Sequence, residues 1–412
     1  MMKKTVSMVL AAAMLASLTA CSGSSSTSTT AADTTAAAET TAASAETTAA
    51  AAGTESKDGT FKIGAIGPST GGAAVYGIAV KEGAELAIQE INAAGGINGY
   101  QVEYNFQDDE NDVEKSINAY NTLKDWGMQM LVGTTTSNPC ISVAAESKND
   151  NLFQITPSGS AVECVENDNV FRVCFSDPDQ GAASAQYIGE HKLASKIGII
   201  YDSSSVYSTG IMDKFTAEAA NQGLEIVSSE AFTAETNTDF TTQLQKAKDG
   251  GAELVFLPIY YTEASLILKQ ADQMGFKPAF FGCDGMDGIL QVENFDTSLA
   301  EDLMLLTPFV ADAQDELTQN FVKAYEAAYG STPIQFAADA YDGVYAIKAA
   351  AEDANLTPDM SVSDLCEGLK ASMTKIKIDG LTGLDMTWNA AGEPEKAPKA
   401  MKIVDGVYTA MD

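Results

Sequence analysis

The segment from Phe61 to Gly99 constrains the fold of this 412-residue chain more than any other. Phe61-Lys62-Ile63-Gly64-Ala65-Ile66 is a short apolar run with a single charge, the composition of a strand buried on both faces of a parallel sheet. It runs into Gly67-Pro68-Ser69-Thr70-Gly71-Gly72, a turn of small residues that leaves backbone N–H groups open. A long helix is predicted next, with Ile78, Glu82, Leu86 and Ile91 spaced by three to five residues and alanines between them, ending at Gly95-Gly96. Strand, open turn and crossover helix form a binding edge at the carboxyl end of a sheet, and Tyr76 places an aromatic wall there.

The alternation of apolar runs and amphipathic stretches continues to residue 309. Strands are predicted near 61–67, 101–107, 129–133, 152–156, 170–174, 196–201, 224–231, 253–258, 278–282 and 302–307. Helices are predicted at 113–126, 181–190, 209–221, 240–249 and 262–275. Such spacing implies right-handed βαβ units, hence an α/β fold with doubly wound, mainly parallel sheets. The pattern runs twice, with a seam near Phe175-Ser176-Asp177-Pro178 that divides the chain into two lobes. Two further helices near 313–329 and 336–353 precede β-like segments at 375–387 and 399–409.

The charge balance restricts partners. Only 24 basic residues face 57 acidic ones, a formal net charge of −33, and Arg172 is the sole arginine, so nucleic acid and anionic membrane surfaces are disfavoured. Residues 1–21 have the form of an export signal: Lys3 and Lys4, then an apolar stretch too short to span a membrane. Residues 22–59, nearly all Ser, Thr, Ala and Gly, offer no apolar periodicity and read as a disordered tether. Beyond Cys21 the cysteines are Cys140, Cys164, Cys174, Cys283 and Cys366; their spacing fits no zinc pattern, and with one histidine, His191, neither a metal site nor a nucleophilic triad is expected. Cys140–Cys164 and Cys164–Cys174 are both open as disulfide pairings. No cofactor fingerprint is present.

The polar residues at predicted strand ends point to a small-molecule site. Thr134-Thr135-Thr136-Ser137-Asn138-Pro139 closes one strand and opens a helix with a capping oxygen and unsatisfied N–H groups, and Thr156-Pro157-Ser158-Gly159-Ser160 repeats the arrangement one strand later. Two adjacent helix starts of this kind can hold a carboxylate without an arginine. Asp177 at the seam and Asp284 after Phe280-Phe281-Gly282 are candidates to meet an ammonium group through charge-assisted hydrogen bonds. Tyr76, Tyr207 and Tyr260 sit at strand ends and can line the pocket, with Tyr261 secondary. An acid pair such as Asp177 and Asp284 also occurs in glycosidases, but the hydroxyl-rich helix starts fit carboxylate holding better.

The order Gly67-Pro68-Ser69-Thr70-Gly71, then Gly83-Ala84-Glu85-Leu86-Ala87, then Gly95-Gly96-Ile97, together with Arg172-Val173-Cys174-Phe175-Ser176-Asp177 and Gln180-Gly181, resembles the extracellular solute-binding proteins of branched-chain amino-acid ABC importers. The resemblance implies a type I periplasmic-binding-protein fold whose two lobes are joined by three crossings, with lobes formed by 60–177 plus 309–385 and by 178–308 plus 386–412. It implies that Ser137, Ser160 and N–H groups of the Ser158-Gly159-Ser160 turn hold a ligand carboxylate, that an acid at Asp284 grips the ammonium, and that aromatics matching Tyr76, Tyr207 and Tyr260 line the cleft. Leu18-Thr19-Ala20-Cys21 resembles a lipobox, so Cys21 is expected to be lipidated and to hold the protein on the outer face of the cell membrane. The expected function is capture of a free α-amino acid, branched-chain types favoured, and its delivery to an ABC permease. The alternative is a sensing protein for another amino acid, amide or small carboxylate, serving a separate receptor.

Overall fold

The computed structural model describes residues 57–411. The expected export signal, Cys21 and nearly all of the tether lie outside the described residues.

The first lobe is built from β1 (Thr60–Gly67), α1 (Ala74–Ala93), β2 (Gln101–Asp108), α2 (Val113–Trp126), β3 (Met130–Gly133), α3 (Ser137–Asp150), β4 (Phe153–Thr156) and β5 (Val170–Arg172). Its five strands are parallel in the order β2-β1-β3-β4-β5. The second lobe begins with α4 (Asp177–Glu190), β6 (Lys196–Asp202), α5 (Val206–Ala219), β7 (Glu225–Phe232), α6 (Thr241–Asp249), β8 (Leu254–Leu257), α7 (Tyr261–Gln273), β9 (Ala279–Gly282) and β10 (Met304–Thr307). The chain then forms α8 (Glu316–Tyr329), α9 (Gln335–Asp353) and α10 (Val362–Met373), and returns to the second sheet as β11 (Lys399–Val404) and β12 (Val407–Ala410). That sheet runs β12-β11-β10-β9-β8-β6-β7, parallel except for its last two strands. Both lobes share one winding, with the second strand outermost and the third beside the first, so each has a switch point where loops after neighbouring strands diverge.

Burial explains the winding. The central strands Met130–Gly133, Phe153–Thr156 and Leu254–Leu257 are buried throughout, as helices cover both faces. On α1 the buried stripe runs through Val80, Ala84, Ala87, Ile88 and Ile91, whereas Ile78 is 40% exposed. The stripe is wide because α1 lies between its own sheet and α9, and small residues let the two helices approach. α10 was not among the expected helices; its run Val362–Met373 starts at a Ser361 cap and hides Leu365, Leu369 and Met373, a pattern the interval 357–374 contains but which the neighbouring β-like composition masks.

Three passages join the sheets. The first enters α4 at the seam, and the second leaves β10 at Thr307. Near the expected third crossing, the chain is still tied to β5: Trp388 Nε1 donates to Arg172 O (2.7 Å), and Arg172 N donates to Gly392 O (2.9 Å). It joins the second sheet only at Lys399. Within this passage Lys396, 1% exposed as a side chain, pairs with fully buried Asp339 of α9 (3.3 Å), donates to Thr382 Oγ1 (2.8 Å) and lies over the Phe175 ring of the first passage. Removing one partner of a buried pair strands the other charge. Lys396→Met is therefore expected to cost about 3 kcal/mol of stability. Lys396→Met combined with Asp339→Leu should cost less, and urea denaturation of both variants checks it.

Candidate functional site

The loops after β1, β3, β4, β6, β8 and β9 meet between the lobes. After β3, Thr134, Thr135 and Thr136 are buried and Ser137 opens α3. Thr136 holds the cap position, yet its side chain accepts no helix N–H and its Oγ1 has no protein partner. The expected capping role is thus not what its hydroxyl does. Ser137 Oγ accepts N–H bonds from both Ser160 and Ala161 (3.2 Å each), which leaves its own proton free to point elsewhere.

The turn after β4 departs from expectation in one respect. It opens only a four-residue 3₁₀ turn, Val162–Val165, because the connection to β5 is too short to propagate a helix. Any anion attraction there comes from individual N–H and O–H groups rather than from a helix dipole. Ser158 Oγ donates to Thr135 O (2.6 Å) and Gly159 N donates to Thr156 Oγ1 (2.7 Å), so these two brace the turn from inside. A side chain at Gly159 would meet Thr156 Oγ1 and Cys140 Sγ within 3 Å. Ser160 Oγ, buried, has no hydrogen-bond partner.

Two acids lie near these donors, and Asp177 N donates to Ser160 O (2.9 Å). Asp177, the first residue of α4, is buried, and both its oxygens lack a hydrogen-bond partner. Its carboxyl is pushed well above the usual range by burial; the nearby Ser160 hydroxyl opposes this, while Asp284 adds to it. Asp284 Oδ1 accepts from Tyr207 OH and from Gly285 N (2.7 Å each), and Asp284 N donates to Gln180 Oε1 (3.2 Å). Burial lifts the Asp284 carboxyl to about 6 against the lowering effect of those donors. The Asp284 charge disfavours ionisation of Asp177, and a cation held near both would relieve it.

Aromatic rings close the chamber. Tyr76 stacks on Phe336 of α9 with ring centroids 4.2 Å apart and meets Tyr260 and Tyr261 edge-on at 5.2 and 4.8 Å. Tyr207 and Tyr260 lie 5.2 Å apart. Tyr76 OH donates to Gly285 O and accepts from Tyr261 N (3.3 Å), so a first-lobe ring is bonded into the second lobe. Further bonds join the lobes around it: Val75 N to Tyr261 OH (3.0 Å), Thr262 Oγ1 to Gly72 O (2.6 Å), and the Asn138 side chain to Ser204 O (3.4 Å) and Val206 N (3.3 Å). The lobes are closed on one another.

Of the nine residues singled out from the sequence, Tyr76, Tyr207, Tyr260 and Asp284 are linked by ring contacts and a hydrogen bond, Ser137 and Asp177 are bonded to the turn at Ser160, and Ser158 and Gly159 brace that turn from inside. Thr136, Gln180 and Phe336 were not singled out. Gln180, whose Nε2 is buried without a partner, stands one helical turn after Asp177, a spacing that marks a shared face. Phe336 comes from a remote segment with no local signal. All five described cysteines are free thiols, so neither pairing is formed; burial raises the Cys164 thiol, and Cys164 as hydrogen-bond partner lowers Cys140. Among the described residues no group of acids, cysteines and histidine is placed to hold a metal.

Buried hydroxyls, acids and aromatic rings gathered where the lobes meet suit capture of a small molecule, and comparison with known proteins agrees. The family described as periplasmic binding protein matches residues 60–406. A Leu/Ile/Val-binding protein homolog from Brucella melitensis is 29% identical over 72% of this chain and 80% of its own length. The leucine-, isoleucine-, valine-, threonine-, and alanine-binding protein of Pseudomonas aeruginosa is 28% identical over 72% and 79%. Among solved structures, the branched-chain amino acid transporter substrate-binding protein LivJ of Streptococcus pneumoniae, in complex with isoleucine, superposes with a TM-score of 0.77 at 28% identity, covering 85% of this chain and 98% of that one. With two similarly wound α/β lobes closed over a polar cleft and a family match across nearly all the described residues, this chain belongs to the periplasmic binding proteins, as a solute binder and not an enzyme.

Proposed function

We propose that this protein captures a free α-amino acid between its lobes, with leucine, isoleucine and valine favoured, and delivers it to the membrane permease of an ABC importer. The observation that carries the reading is a set of buried polar atoms without protein partners, Thr136 Oγ1, Ser160 Oγ and both Asp177 oxygens, with Asp177 and Ser160 adjacent through the Asp177 N to Ser160 O bond. In the proposed complex the carboxylate takes the Ser137, Ser160 and Thr136 hydroxyls, while the N–H groups of Gly159 and Ser160, bonded to Thr156 Oγ1 and Ser137 Oγ, hold the turn and the Ser137 oxygen in place. The ammonium lies between Asp177 and Asp284, and the side chain meets Tyr76, Tyr207 and Tyr260. The names of the relatives and the isoleucine complex of the neighbour support the choice of side chain. Lipidation of Cys21 and a tether over 22–59 would hold the closed domain at the outer membrane face; among the described residues no helix is long and apolar enough to cross a membrane.

A thermal-shift screen of amino acids and organic acids tests the reading. At a concentration 100 times its dissociation constant, a ligand stabilises the native state by about 2.7 kcal/mol. Leucine, isoleucine and valine are expected to raise the melting temperature. Stabilisation by carboxylates lacking an amino group, with none by any amino acid, would remove Asp177 and Asp284 from the assigned role.

A further inference from the structure

We propose that Arg172, the only arginine of the chain, is a positioning residue that aims the N–H groups of the carboxylate-binding turn and couples them to the third passage between the lobes through Glu393; this rests on the amino-acid reading above. Its guanidinium is wholly buried, and it meets the Gly159-Ser160 turn through main-chain carbonyls. Nη1 donates to Ser160 O and to Gly159 O (3.3 Å). Nη2 donates to Glu393 Oε1 (2.9 Å), and Nε lies 2.9 Å from Glu393 Oε2 as an ion pair.

The peptide plane makes this arrangement directional. A trans peptide points its C=O and N–H in opposite directions. The carbonyl of residue 159 shares a plane with the N–H of Ser160, and that of residue 160 with the N–H of Ala161. Drawing both carbonyls to Arg172 turns both N–H groups the other way, and they do point to Ser137 Oγ. Ser160 O has a second donor, Asp177 N (2.9 Å), so one carbonyl fixes the anion-binding turn and the start of the acid-bearing helix together. A lysine, a single point charge, could not span both carbonyls and Glu393 as the planar fork does.

The far end of the fork reaches the crossing. Glu393 follows Gly392, whose φ of +78° and approach to Val170 O, where a Cβ would sit at 2.4 Å, hold the passage against β5. The Arg172 main chain is bonded to Trp388 and Gly392 as well. The turn that receives the carboxylate and a strand that must flex when the lobes part thus share one side chain.

The test is hydrogen exchange at the Ser160 and Ala161 amides in the ligand-free full chain, together with calorimetric titration of leucine, for wild type, Arg172→Met, Arg172→Lys and Glu393→Gln. Arg172→Met should speed exchange at these two amides about tenfold while the β1 amides stay unchanged. Leucine affinity should fall about 30-fold. Arg172→Lys should restore part of both, and Glu393→Gln should move the same amides by a smaller factor. Unchanged exchange at Ser160 and Ala161 in folded Arg172→Met, or equal acceleration across the whole lobe, overturns the proposal. Should Arg172→Met fail to fold, unchanged exchange in both Arg172→Lys and Glu393→Gln overturns it equally. A wild type that binds no α-amino acid, but shows the expected exchange pattern, defeats the proposed ligand while the coupling stands.

Discussion

Asp284→Ala is expected to weaken amino-acid binding by 100-fold or more, about 2.7 kcal/mol. The side chain removed is buried, and two donors, Tyr207 OH and Gly285 N–H, are aimed at its Oδ1. Truncation leaves both unpaired and withdraws the counter-charge from the proposed ammonium site in a medium where water cannot replace it. Calorimetry with leucine measures the loss, and an unaltered isotherm would place Asp284 outside the site. The pH dependence follows from the same group. Its carboxyl titrates at about 6 in the ligand-free protein, and a bound ammonium favours the ionised form, so protonation competes with binding. Affinity is therefore fully present above about pH 6 and falls as pH drops through that value, by up to about tenfold per unit. Asp284→Asn should flatten this part of the profile at a uniformly weak affinity.

Gly77→Ala should be damaging for a different reason. A Cβ at Gly77 would stand 1.9 Å from Pro68 O and within 2.6 Å of two other Pro68 backbone atoms. Backbone cannot rotate aside as a side chain can, so the first turn of α1 must separate from the loop after β1. Overpacking of this severity costs about 3 kcal/mol. The neighbouring Tyr76, whose hydroxyl bonds Gly285 O across the cleft, moves with that turn. Loss of stability in urea denaturation should accordingly be accompanied by loss of ligand affinity. Wild-type stability with wild-type affinity in Gly77→Ala would refute the clash.

Gly77 also shows what could be read in advance. The strand, turn and helix around it were legible because their signals are local: an apolar run, small turn residues and a helical period. The acids and hydroxyls at strand ends were legible for a related reason, since a doubly wound sheet sends every such end to the same edge. What escaped depends on partners far away in sequence. Phe336 becomes part of the aromatic wall only because α9 packs beside α1. The third passage stays near β5 as far as Gly392 because Arg172 and Trp388 hold it there, a contact between segments more than 200 residues apart. Thr136 looked like an ordinary helix cap, and only its three-dimensional setting shows a hydroxyl withheld from the helix.

The bonds that Asn138, Val75, Tyr76 and Thr262 make across the cleft involve no cargo atom. Each such bond nets about 0.5–1.5 kcal/mol, so together they offset a sizeable part of the cost of bringing the lobes together. If the protein serves an ABC permease as proposed, those bonds would favour the shut shape even without cargo, and a permease docking by outline alone would squander cycles on vacant carriers. Under that proposal discrimination would come from how long the shut shape lasts, which a bound amino acid would extend by bridging the hydroxyls of the first lobe and Asp284 of the second.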